Sequence, residues 1–121
     1  MTDRELLELA AKAAGISGSW FEDCNHMIRE FVFDRMFGIK TKAGLWNPLT
    51  DDGDALRLAV ELRIDVNHDE VGMKSFVYAR TVFNDETHIG LSEIFDDESE
   101  RLDRTRRAIT RAAAQIGKDM Q

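Results

Sequence analysis

Leu45-Trp46-Asn47-Pro48-Leu49-Thr50-Asp51-Asp52-Gly53-Asp54-Ala55-Leu56-Arg57-Leu58-Ala59-Val60 turns from loop chemistry to an amphipathic helix within a few residues. It holds the only proline of the chain and one of its two tryptophans. Pro48 stiffens the approach, and Thr50 or Asp51 offers an oxygen to the first free amides. Asp51, Asp52 and Asp54 put negative charge where the helix dipole favours it. The pattern predicts a helix over about residues 51–63. Ala55, Leu56, Leu58, Ala59, Val60 and Leu62 cover more than half of its circumference. The polar strip is narrow: Asp54, Arg57 and Glu61, spaced for i+3 and i+4 pairing. A helix this apolar is expected to be largely buried against a sheet. Trp46 and Leu49 flank Asn47-Pro48 and read as a hydrophobic staple on the first turns. The competing reading makes Trp46 an exposed aromatic anchor for a partner.

Working outward, the order is helix, strands, helix, strands, helix. The first helix covers about residues 3–14, with Thr2 and Glu5 as a capping box and Gly15 as the stop. Leu6, Leu9, Ala10, Ala13 and Ala14 share its apolar face. Residues 27–33 read as a strand, with Met27, Phe31 and Phe33 on one side and Ile28 and Val32 on the other. Apolar groups on both sides suggest a sheet covered on two faces. Trp20 and Phe21 fit an earlier partner strand. Residues 34–45, with Gly38 and Gly44, read as a loop. Residues 64–66 begin a short strand, residues 71–83 form a longer one, and residues 84–86 turn the chain. Residues 87–94 return antiparallel with Ile89 and Leu91 inward. The last helix spans about residues 98–116, capped by Asp97 with Glu100 and ended by Gly117. The fold expected is therefore α+β: an α/β/α-type sandwich with a mainly antiparallel sheet of about four strands and three helices, in one domain over residues 1–121.

Composition narrows the function classes. At 121 residues, 43% hydrophobic and 32% charged, the chain reads as one soluble globular domain. Its formal net charge of -7 disfavours nonspecific nucleic-acid binding, which needs phosphates neutralised by Lys and Arg. No apolar run is long enough to span a bilayer, and Met1-Thr2-Asp3-Arg4-Glu5 lacks the start of a signal peptide. One cysteine, Cys24, excludes an internal disulfide, so cytoplasmic residence is expected.

No motif announces a reaction. Asp65-Val66-Asn67-His68-Asp69 starts like a calcium loop, but Glu70 and Phe76 stand where Gly and a bidentate Glu are needed. It reads as a polar turn between strands. Asp51, Asp52 and Asp54 are explained by capping without a metal. Cys24 and His26 are too few ligands for structural zinc. They also lack the orienting partner of a nucleophile pair, so no cofactor, metal or catalytic residue is assigned. There is no Gly-x-Ser-x-Gly elbow and no phosphate loop. On the last helix Leu102, Thr105, Ile109, Ala112, Ala113 and Ile116 fall on one arc. Arg104, Arg107, Arg111 and Lys118 lie within about 60° of one another, nearly opposite. They read as a solvated face with bases placed to suit the dipole, or as a basic rail for an acidic partner. Trp20, Phe21, Trp46, Arg104, Arg107 and Arg111 are the candidate partner-binding residues.

Three segments carry a resemblance to uncharacterised phage proteins grouped as the phage ABA sandwich domain. They are Glu5-Leu6-Leu7-Glu8-Leu9-Ala10-Ala11-Lys12-Ala13-Ala14-Gly15, the segment from Trp46-Asn47-Pro48-Leu49 to Leu62, and Arg106-Arg107-Ala108-Ile109-Thr110-Arg111-Ala112-Ala113-Ala114-Gln115-Ile116-Gly117-Lys118. The family resemblance implies helices on both sides of a sheet and brings no catalytic residues with it. The expectation is a phage or prophage accessory protein in the host bacterial cytoplasm. It acts by binding a host or phage protein, with modulation of host physiology or defence as its role. Two alternatives stand beside it. One is a metal- or nucleotide-dependent enzyme built on convergent Asp51, Asp52, Asp54, Asp65 and Asp69. The other is a homo-oligomeric scaffold.

Overall fold

The Thr2 side chain accepts the Glu5 amide at 3.1 Å, and its hydroxyl donates to the Glu5 carboxylate. This reciprocal cap starts helix α1, Asp3–Ala14. The computed structural model describes residues 1–28, 32–83 and 87–120, with side chains placed for 1–23, 36–82 and 89–120. After α1, strands β1 (Ser19–Ile28), β2 (Val32–Thr41) and β3 (Gly44–Trp46) form an antiparallel sheet in that order. Helix α2 (Asp52–Glu61) leads to β4 (Asp65–Val71), β5 (Lys74–Phe83) and β6 (Thr87–Phe95), a second antiparallel sheet in chain order. A 3₁₀ turn at Glu98–Glu100 leads into helix α3, Arg101–Asp119. The chain is one helix followed by two βββα units.

The α+β class and the three helices stand. The single sheet of about four strands is corrected to two sheets of three. Glycine accounts for part of the difference, in the first sheet. Gly38 reads as loop punctuation but lies inside β2 at a φ of 150°. A β-carbon there would sit 2.6 Å from the Trp46 carbonyl oxygen, so glycine lets β3 close onto β2. The expected loop at 34–45 is thus most of β2, a tight turn and the start of β3. The expected strand at 27–33 is divided between β1 and β2, whose register puts Met27 opposite Phe33. The proposed faces of Met27, Ile28, Val32 and Phe33 lie outside the placed side chains, and Phe31 lies outside the described residues. So does the turn expected at 84–86.

Residues 65–69, expected as a polar turn apart from a short strand begun at 64–66, belong to β4. Along that strand only Val66 is even half-buried. β4 is a sheet edge open to water, so its sequence has no apolar alternation to betray it. The turn before β5 falls instead at Gly72, whose φ is 65°.

Helix α3 is the common support. It packs on α1, on α2 and on β5 and β6. Val77 and Ala79 of β5 and Ile89 and Phe95 of β6 are buried, as are Ala108, Ile109, Ala112, Ala113 and Ile116 of α3. Gly117 does not end the helix as expected. It lies inside α3, where a β-carbon would be 2.0 Å from the Leu9 carbonyl oxygen. Glycine here sets how closely α1 approaches α3. The expected helix layer on each face of one sheet is also corrected. The outer face of the β4–β6 sheet leaves Val82 and Ile94 exposed, because its apolar alternation is incomplete and nothing among the described residues covers them.

Candidate functional site: the groove between α2 and α3

Asp51 caps α2 by accepting the Asp54 amide at 2.8 Å. Asn47 ties the approach to β2: its side chain donates to the Phe37 carbonyl at 2.8 Å and accepts the Leu49 amide at 2.9 Å. The Asn47 amide in turn donates to Asp54 at 2.9 Å. Pro48 is fully buried, and Trp46 and Leu49 are buried beside it. Trp46 therefore belongs to the core and is not an exposed anchor. Arg106 of α3 pins the helix start, donating to the Leu49 carbonyl at 2.9 Å and to Asp52 at 2.6 Å.

The other end of α2 is fixed by backbone geometry. The Arg63 amide donates to the Val60 carbonyl at 3.3 Å and the Ile64 amide to the Ala59 carbonyl at 2.8 Å. That pair of bonds is a Schellman stop, and it needs a left-handed residue at Arg63, whose φ is 54°. Ile64 is buried beyond it, and the Thr81 hydroxyl donates to the Leu62 carbonyl at 3.1 Å.

Between these fixed ends α2 buries only Ala55, Leu58 and Ala59. The expectation of a largely buried helix is corrected. Leu56 and Val60 are 65% and 69% exposed, and Leu102 of α3 is 64% exposed. The burial of α3 begins at Ala108, so Leu102 in its first turn leaves the arc on which it was expected to be covered. Leu56, Val60 and Leu102 rise beside an apolar floor made by Ala55, Ala59 and Ile109, and together they line a groove. Arg63, Asp65, Asp52 and Arg106 also border it.

None of the six candidate partner-binding residues lines this groove. The arginines point to their own chain instead. Glu93 of β6 is only 8% exposed and accepts from Arg104 at 3.1 Å and from Arg111. Arg104 also reaches Glu100 at 3.4 Å, and its hydrogen bonds to Glu93 and Glu100 raise its pKa above the ordinary arginine value. Arg111 further donates to the Ser92 carbonyl at 3.1 Å, and Arg107 to Asp3 of α1 at 3.2 Å. The three arginines read from the sequence as a solvated face or a basic rail latch α3 onto β6 and α1. Trp20 is half-buried against Phe37, with ring centroids 6.0 Å apart, and the Arg4 guanidinium lies 5.8 Å from its ring. Phe21 is half-buried, with the Lys40 ammonium 5.8 Å from its ring.

Glu93 and the groove were both missed by sequence reading. An acid at an inward register position, between Leu91 and Phe95, was the available signal for the first. The apolar excess of α2 was the signal for the second, misread as burial.

The aspartates do not converge. Arg57 pairs with Asp54 at 2.9 Å and approaches Asp51 at 3.9 Å, Asp65 pairs with Arg80 at 3.7 Å, and Asp69 accepts the Glu70 amide at 2.8 Å. Among the described residues no three His, Cys, Asp or Glu side chains are grouped to hold a metal ion. The side chains of Cys24 and His26 lie outside those placed. No helix among the described residues is long and apolar enough to cross a membrane. No protein-family model, curated protein or solved structure matches the chain.

Proposed function

We propose that this is a phage or prophage accessory protein that works by binding another polypeptide, a host or phage protein, in the α2–α3 groove. The phage affiliation rests on the three sequence segments quoted above. One observation carries the binding surface: Leu56, Val60 and Leu102 are all about two-thirds exposed around one apolar floor. Large apolar side chains exposed singly are ordinary, whereas a contiguous set with a charged rim marks an interaction site. The floor lies between two helices, which suits the apolar face of a helix laid along it.

Burying three such side chains contributes on the order of 5 kcal/mol. That is near the lower bound of the cost of immobilising two proteins, so the apolar contact alone gives a weak complex. The rim charges then decide which partner is accepted and in which direction it lies.

The test is affinity capture from infected host cells with the wild type and with Leu56→Glu/Val60→Glu. Both positions are exposed, so the variant is expected to keep its thermal midpoint. A protein retained by the wild type and lost by the variant supports the groove. An identical set of captured proteins from both removes it.

A further inference from the structure

Among the described residues Arg63 is the only non-glycine with a positive φ. A β-carbon is strained in that region, and α1 has Gly15 in the matching place. Strain kept where glycine would serve points to a use for the side chain. Arg63 is exposed at the groove rim and makes no ion pair among the described residues. At the other end of the same helix Asp52, held by Arg106 on one side, keeps a side chain 68% exposed at the groove, next to the capping Asp51 at 59%. Leu56 and Val60, one turn apart, lie between the acidic start and the basic end. Along α2 and its stop the stripe runs acid, Leu, Val, base, with Arg106 of α3 beside Asp52 and Asp65 of β4 beyond Arg63.

Turned end for end, that stripe complements itself. A two-fold axis midway between Leu56 and Val60 sets Leu56 against the partner's Val60 and brings Arg63 to the partner's Asp52. The two helix dipoles then run antiparallel, positive end beside negative end. We infer that the α2–α3 groove is an interface between two copies of this chain, with α2 packed antiparallel on α2. This rests on reading the groove as a polypeptide-binding surface, and it names the polypeptide. The contact is isologous, so it closes at two copies and does not grow into a filament. A foreign partner then has to displace the second copy, and groove occupancy depends on protein concentration.

The test is sedimentation equilibrium of the full chain over a concentration series, with thermal melts beside it. The wild type is expected to pass from monomer to dimer with a Kd in the range of about 1–100 µM. Val60→Glu places two carboxylates in the apolar contact and is expected to weaken the dimer more than about 100-fold without moving the thermal midpoint measured at concentrations below the wild-type Kd. Leu56→Glu does the same and serves if Val60→Glu folds poorly. Arg63→Glu faces the partner's Asp52 and is expected to weaken it about tenfold, less so at high salt. Arg63→Gly is expected to dimerise more weakly while melting higher, a pairing that a merely structural role for Arg63 does not produce.

A wild type that stays monomeric to about 1 mM overturns the self-association. If a captured host or phage protein is still lost by Leu56→Glu/Val60→Glu in that case, the groove remains a binding surface. A dimer indifferent to Val60→Glu and to Arg63→Glu overturns the proposed face.

Discussion

Helices α1 and α2 are 12 and 10 residues long, both lean on α3, and both are stopped by the same pair of backbone bonds. They are otherwise treated in opposite ways. α1 buries Leu6, Leu7, Ala10 and Ala11, presses Leu9 onto Gly117 of α3, and ends on glycine. α2 buries two alanines and Leu58, leaves Leu56 and Val60 in water, and ends on a strained arginine. In α1 every feature serves the fold. In α2 the apolar width and the left-handed Arg63 both work against it, and both lie at the groove. The lesson is that a wide apolar arc states how much surface wants cover, not how much the fold supplies.

The sharpest break of this contrast lies on the α1 side. Gly117→Val puts a branched side chain where even a β-carbon would lie 2.0 Å from the Leu9 carbonyl. A loss of about 3 kcal/mol or more is expected in denaturant titrations, because α1 must move off α3. Within α2 itself, Leu58→Ala is expected to cost about 3 kcal/mol, since Leu58 is 2% exposed. Leu56→Ala two residues earlier is expected within about 0.5 kcal/mol of wild type. Equal losses at both would mean that α2 is covered like α1.

The support shared by both helices is tested at Glu93. Glu93→Gln removes the charge that Arg104 and Arg111 answer. Both guanidinium groups keep access to water, so about 2 kcal/mol is expected rather than the full cost of a buried broken pair. Exchanging the helix stops comes next. Arg63→Gly is expected to stabilise by about 0.5–1 kcal/mol, and Gly15→Ala to destabilise by about 1 kcal/mol, read as opposite shifts in thermal midpoint.

The smallest effect is expected upon acidification at the start of α3. The Asp97 carboxyl lies below its ordinary value of 3.8, chiefly because it accepts the Ser99 amide. Glu98 lies below 4.5, chiefly through its hydrogen bonds to Arg101. Both are held lower in the folded state than in the unfolded one. Their contribution is therefore present above those ordinary values and is lost as pH falls through the depressed folded ones. Urea midpoints of wild type and Asp97→Asn should converge as pH drops below about 4.

Local chemistry was legible wherever one turn of chain decides the outcome. Thr2, Gly15 and Asp51 cap or stop helices as their side chains and φ preferences dictate, whereas Asp97 caps the 3₁₀ turn ahead of α3, which itself starts at Arg101 without a side-chain cap. The antiparallel return of β6 and its inward Ile89 followed from alternation of period two. The errors share one cause. Gly38 and Gly117 were read as breakers, but each permits a close approach between segments distant in sequence. Polar β4 was read as a turn because an edge strand needs no apolar face. The arginines of α3 read as a solvated face or a rail because their partners, Glu93 and Asp3, lie on other elements.

The amino-acid order by itself determined the α+β class, the three helices and most of their ends, since capping and periodicity act within a few residues. Only the tertiary structure decided which apolar surfaces are covered. Burial depends on what another element brings to a face, and α3 brings cover to α1 and to β5 and β6 while leaving Leu56 and Val60 of α2 open. The groove is made by that difference.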